Sequence, residues 1–127
     1  MPLVRISHSQ GRSQADRDAL SQAVHQALVS AFAVPQDDYF QILTEHLPNQ
    51  GLRFPKNFLG IEHGEEMIFV QITAAEGRSS EQKKSLFQGI VDRLNISLGL
   101  RKEDIFINLI ETKRENWSFG RGEMPFA

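Results

Sequence analysis

Two stretches of the chain carry apolar residues at spacings of three and four: Leu20, Val24, Ala27, Leu28, Ala31 and Phe32 in one, and Leu86, Ile90, Leu94 and Leu98 in the other. That period places a single apolar stripe on each of two helices. Four shorter runs, Leu3 to Ser7, Tyr39 to Thr44, Met67 to Thr73 and Ile105 to Ile110, are rich in β-branched and aromatic residues and contain no glycine or proline, as strands require. Gly11 and Gly77 mark the turns out of the first and third strands. Ser13 with Asp16, and Ser79 with Gln82, predict the helix starts, because a serine hydroxyl accepts from an orphan N–H while a side chain three residues on reaches back. Val34-Pro35 is expected to end the first helix and Gly99 to cap the second.

The same order of elements occurs twice. Laying residues 1–45 over residues 67–111, an offset of 66, makes thirteen of the 45 pairs identical, among them Val4/Val70, Leu20/Leu86, Asp38/Asp104, Phe40/Phe106 and Glu45/Glu111. Gly11-Arg12-Ser13 falls on Gly77-Arg78-Ser79 without a gap. Two copies are too few for a solenoid, so the pattern predicts a duplicated strand-helix-strand unit folded about a pseudo-twofold axis. The crossover makes the two strands of each unit parallel. The expected fold is α+β, with a four-stranded sheet, two helices on one face, and the other face left for a second subunit to cover. The stretch from His46 to Glu66, with two prolines and three glycines, reads as a long loop with room for a short hairpin.

Length and composition narrow the functional classes. At 127 residues the chain is expected to form a single domain, 1–127. A charged fraction of 24% against 40% hydrophobic excludes a mainly disordered chain, and a net charge of -2 gives no electrostatic case for nucleic acid or an anionic membrane. No run approaches the length of a membrane span, and no basic region followed by an apolar stretch opens the chain, so a cytoplasmic protein is expected. Without cysteine there is no disulfide or thiolate metal site, and the four histidines show no ligand spacing, so no metal is expected.

The candidate chemistry begins at Pro2, directly ahead of the first strand. If Met1 is removed, Pro2 presents a secondary amine able to act as base, acid or nucleophile. Pro2 leading a strand, Gly-Arg-Ser at a helix start and the duplicated unit together resemble the tautomerase superfamily. The strings Val34-Pro35-Gln36-Asp37-Asp38-Tyr39-Phe40-Gln41, Gly77-Arg78-Ser79-Ser80-Glu81-Gln82-Lys83 and Asn116-Trp117-Ser118-Phe119-Gly120 resemble its malonate semialdehyde decarboxylase branch. The resemblance implies a homotrimer with a proline amine in each site, a small oxo-acid substrate, and no cofactor.

On that footing the candidate catalytic residues are Pro2, Asp38 and Arg78, and the candidate substrate-binding residues are Tyr39, Trp117 and Phe119. A free α-amine titrates near 8; burial or a neighbouring cation lowers that value and a carboxylate raises it, and the two cases select a neutral base or a cationic acid. Arg78 can hold a carboxylate through two parallel N–H bonds. Trp117 and Phe119 would form an apolar wall that excludes water. Tyr39 either donates to a substrate oxygen or packs at a strand start, and Arg12, Glu45 and Glu111 read as structural. The sequence departs from the branch at Ala74-Ala75-Glu76, where an earlier arginine of the same turn is replaced, which weakens the case for decarboxylation. Three functions compete: a keto-enol tautomerase for a 2-oxo acid such as phenylpyruvate, a decarboxylase or hydratase of a 3-oxo acid using cationic Pro2, and a non-catalytic trimeric binding protein that keeps Met1.

Overall fold

The structure is a computed structural model describing all of residues 1–127. Its elements, in chain order, are β1 (Leu3–Ser9), α1 (Gln14–Phe32), β2 (Gln41–His46), β3 (Asn57–Phe58), β4 (Ile61–Glu62), β5 (Ile68–Ala75), α2 (Ser80–Leu98) and β6 (Ile105–Thr112), with short 3-10 turns at Lys102–Asp104 and Arg114–Asn116. The four long strands form one sheet in the order β2-β1-β5-β6. Within each unit the strands are parallel, β1 with β2 and β5 with β6, and the units meet antiparallel through β1 and β5. At the centre of that seam Arg5 stands opposite Gln71, its own repeat-mate, so the pseudo-twofold axis passes between them.

Alternation along the strands decides which face is dry. Val4 and Ile6 of β1 and Ile68, Val70, Ile72 and Ala74 of β5 are all buried, and they meet Leu20, Val24, Leu28 and Phe32 of α1 and Leu86, Ile90 and Leu94 of α2 in one cluster. Burial of each large aliphatic side chain there contributes about 1.5–3 kcal/mol. The opposite face carries no helix. It exposes Ile42, Phe106 and Ile110, each at least 40% accessible. Phe69 and Phe106 pack edge to face there with centroids 5.2 Å apart, and Phe54 of the long connection leans on Phe69 at 6.4 Å. That connection holds the short hairpin β3–β4, paired through Asn57 with Glu62 and Phe58 with Ile61.

Both helix starts form as expected. Ser13 accepts from the N–H of Asp16, while Ser79 and Gln82 make the reciprocal pair of bonds. The end of α1 differs from expectation: the helix stops at Phe32, and Ala33 takes a left-handed φ of 55°, before Val34-Pro35 is reached. Ala33 is the repeat-mate of Gly99, which caps α2 at φ 65°. The duplicated backbone therefore sets the stop, and the proline only prevents resumption.

Candidate active site

Antiparallel pairing of two parallel units brings the starts of β1 and β2 to the same sheet edge as the ends of β5 and β6. Four separated parts of the sequence meet there: Met1-Pro2, the connection between α1 and β2, the turn between β5 and α2, and the segment after β6. Each is fixed locally. The connection after α1 is tied back to that helix by His25, whose Nε2 lies 2.9 Å from the Gln36 carbonyl, and by paired amides of Gln26 and Gln36. Asp38 N–H closes a turn onto the Pro35 carbonyl at 3.1 Å, and Val4 N–H donates to the Phe40 carbonyl at 3.1 Å, so Asp38 sits beside the start of β1.

Pro2 is buried. The terminal amine, carried here by Met1, donates to Oδ2 of Asp38, while Oδ1 of Asp38 is buried without a hydrogen-bond partner. Arg78 precedes the Ser79 cap of α2. Its guanidinium lies over the ring of Phe32, 4.8 Å from the centroid, and Nη1 donates to the Ala75 carbonyl at 3.0 Å. Burial, reinforced by the charge of Arg114, lowers the Arg78 pKa, and Asp38 and Glu111 act in the opposite sense. The group stays protonated. Its environment nonetheless favours arrival of an anion, which would offset both the lost hydration and the like charge.

The segment after β6 builds a wall. Trp117 Nε1 donates to Thr112 Oγ1 at 2.8 Å, and Thr112 Oγ1 donates to the Ala74 carbonyl at 3.2 Å, so the indole is pinned to the end of β5. Trp117 and Phe119 stack with centroids 5.9 Å apart, and Phe119 also meets Phe40 at 5.7 Å and Phe126 at 5.8 Å. Phe40, Trp117 and Phe119, together with Leu3, Thr73, Thr112, Asn116 and Ser118, line a cavity of about 440 Å³.

Of the residues singled out from the sequence, Pro2, Asp38 and Arg78 lie at this edge, with Trp117 and Phe119 alongside. Tyr39 is turned to the helix face: its hydroxyl hydrogen-bonds Ser21 of α1, which also donates to Gln41 at 2.6 Å, and its ring meets His25 edge to face at 4.7 Å. Sequence reasoning passed over Phe40 and Arg114. Phe40 is signalled by strand alternation from Gln41, whereas the place of Arg114 follows only from the β5–β6 register.

At the opposite edge stand the repeat-mates. Ile68 replaces Pro2, with its nitrogen inside a peptide bond. Asp104 is 2% exposed, accepts from the Gly64 N–H at 2.6 Å and meets Arg101 Nη1 at 3.5 Å. Arg12 lines a cleft of about 340 Å³ with Asp16, Glu65 and Glu66 and no apolar residue.

A family model described as tautomerase enzyme matches residues 38–120, and a second with the same description matches residues 2–54. The chain is 38% identical over 122 residues to the probable tautomerase YusQ of Bacillus subtilis (strain 168), covering 96% of this chain and 95% of that protein. Two solved structures share the fold closely. Malonate semialdehyde decarboxylase superposes with a TM-score of 0.89 at 29% identity, covering 98% of this chain and 95% of that one. FG41 malonate semialdehyde decarboxylase inhibited by 3-bromopropiolate superposes with a TM-score of 0.88 at 34% identity, covering 96% and 92%.

Proposed function

This chain belongs to the tautomerase family, and from that premise we propose that it is a cofactor-independent isomerase converting the enol of a small 2-oxo acid, such as phenylpyruvate, to its keto form. The observation that carries this reading is the convergence of the terminal nitrogen, Asp38 and Arg78 at one sheet edge. Removal of Met1 moves the amine one residue, about 3.8 Å along the chain, to Pro2. Arg78 takes the substrate carboxylate. The Pro2 nitrogen accepts the proton of the enol oxygen and returns it to C3, so the carbonyl forms with no net gain or loss of protons or electrons. Trp117 and Phe119 exclude water from the reacting atoms. The apolar face of the sheet, with Ile42, Phe106 and Ile110 exposed, supports assembly as a homotrimer. In this reading residues 1–127 act as one domain in the cytoplasm.

The test is ketonisation of phenylpyruvate enol by protein whose terminal residue has been verified as Pro2 by mass spectrometry. Turnover is expected, and Pro2→Ala is expected to lose about a hundredfold or more, the usual contribution of a positioned base. Unchanged turnover in Pro2→Ala sinks the reading, and equal turnover with Met1 retained does the same, because residue 2 is then an amide nitrogen without basicity.

A second reading is favoured by the carboxylate of Asp38 beside the terminal nitrogen. A carboxylate there stabilises the ammonium form. Cationic Pro2 would polarise the aldehyde oxygen of a 3-oxo acid; the bond to the carboxylate carbon breaks, carbon dioxide leaves, and the resulting enolate takes up a proton. Nitrogen NMR of Pro2 separates the two: titration well below about pH 7 rejects the cationic mechanism.

A further inference from the structure

We infer that Arg114 is the second cation of the carboxylate site, holding the substrate carboxylate together with Arg78. The inference rests on the proposed role of Arg78 and adds to it a residue from a different turn.

The turns that carry the two arginines are brought side by side by the backbone. Ala75 of β5 stands opposite Thr112 of β6, and the ladder continues past the strands through the Glu76 N–H, which donates to the Thr112 carbonyl at 2.8 Å. Thr112 Oγ1 bonds the Ala74 carbonyl, and Arg78 Nη1 bonds the Ala75 carbonyl. The next turn, closed by the Asn116 N–H on the Lys113 carbonyl at 3.1 Å, presents Arg114 and is anchored at its far end by Trp117 on Thr112. One turn is therefore latched to Ala75 and the other to Thr112, which face each other across the ladder.

Charge accounting points the same way. The ion pairs of the chain involve neither Arg78 nor Arg114. Glu111, near the end of β6, is held by Lys83 at 2.9 Å, and Glu115, next to Arg114 in the turn, takes part in no ion pair. Arg114 is the strongest charge acting on Arg78. Two like charges on adjoining turns of a backbone ladder, neither in an ion pair, are relieved by an anion between them. The expected departure at Ala74-Ala75-Glu76, which removes an arginine from the turn before α2, is thus compensated from the turn after β6. Of the two, Arg114 is exposed, so it is the one able to follow the carboxylate of substrates of different length.

The probe is phenylglyoxylate, a 2-oxo acid with no hydrogen on the carbon next to its carbonyl, which cannot enolise; its binding is measured by calorimetry at fixed ionic strength. Arg114→Gln is expected to weaken binding about tenfold, the scale of one charge-assisted hydrogen bond, with Arg114→Lys recovering part of the loss. Lys113→Gln removes the same charge from the same turn and is expected to bind as the unaltered chain does. In turnover of phenylpyruvate enol, Arg114→Gln is expected to raise KM with kcat little changed. If Arg78→Gln weakens binding while Arg114→Gln matches Lys113→Gln, the inference fails and the proposed carboxylate site stands. If neither Arg78→Gln nor Arg114→Gln weakens binding, both fail.

Discussion

At one edge of the sheet stand Pro2, Asp38, Arg78 and Glu111, and at the other their repeat-mates Ile68, Asp104, Arg12 and Glu45. The residue types nearly match, but the bonding does not. Asp104 is sealed in, accepting from a backbone N–H and an arginine, whereas Asp38 meets the terminal amine with one oxygen and leaves the other buried and unbonded. Arg12 faces a cleft lined with glutamates, while Arg78 lies over the ring of Phe32 and feels the charge of a second arginine. The lesson is that a duplicated framework delivers the same side chains twice, and that the neighbours added by the non-repeated segments decide whether a carboxylate is fully bonded or keeps an oxygen without a partner. His46–Glu66 supplies Gly64 to one edge, and the segment after Thr112 supplies Trp117 and Phe119 to the other.

That contrast is open to direct attack. The largest effect is expected from exchanging charge for neutrality at paired positions: Arg78→Gln should lower kcat/KM for phenylpyruvate enol about a hundredfold or more, and Arg12→Gln should leave it within about twofold. Equal losses would mean that both edges bind substrate. Next in size is Asp104→Ala, expected to cost about 2 kcal/mol in denaturant unfolding because it removes a buried carboxylate and leaves the half-buried Gly64 N–H without its partner, with turnover per folded molecule unchanged. Asp38→Ala should reverse that order, losing turnover with a smaller stability change.

The smallest effect concerns His8, fully buried near the end of β1, where the other unit has Ala74. Its Nδ1 meets the Ser9 carbonyl at 2.9 Å and its Nε2 accepts from Arg17 Nε at 3.3 Å. Burial lowers its pKa below the ordinary 6.5; the Ser9 carbonyl and Glu45 oppose the shift, and Arg12 and Arg17 add to it. Below about pH 6.5 the unfolded chain therefore binds a proton that the folded chain refuses. Stability from this group is complete above that pH and is lost as pH falls from 6.5 through the lower folded value. His8→Gln should flatten that part of the curve, measured as urea midpoints between about pH 5 and about 7.5. No change in slope would show that His8 is protonated equally in both states.

Much of this was legible in the chain itself, for a physical reason. Strand alternation and helix periodicity are local, and repetition wrote them twice, so Leu20 with Leu86 or Ser13 with Ser79 could be checked against each other. The convergence of Pro2, Asp38 and Arg78 follows once two parallel units are paired antiparallel. What escaped is non-local or unrepeated. Arg114 belongs to a turn with no counterpart in the first unit, and its nearness to Arg78 arises only from the β5–β6 register. The bond from Tyr39 to Ser21 spans a helix and a strand start and leaves no periodic trace. The left-handed Ala33 was hidden because alanine does not announce that conformation as Gly99 does.

The peptide bond at Ile68 also fixes a stoichiometry. Joining two units end to end converts the second strand-leading nitrogen into a peptide amide at the head of β5, opposite Ile105. In the proposed reading, with Met1 removed, each chain offers one titratable strand-leading nitrogen in two related frameworks, and any assembly of these chains is half-occupied with respect to its own internal symmetry. A covalent label specific for that amine saturates at one equivalent per polypeptide, however many copies associate.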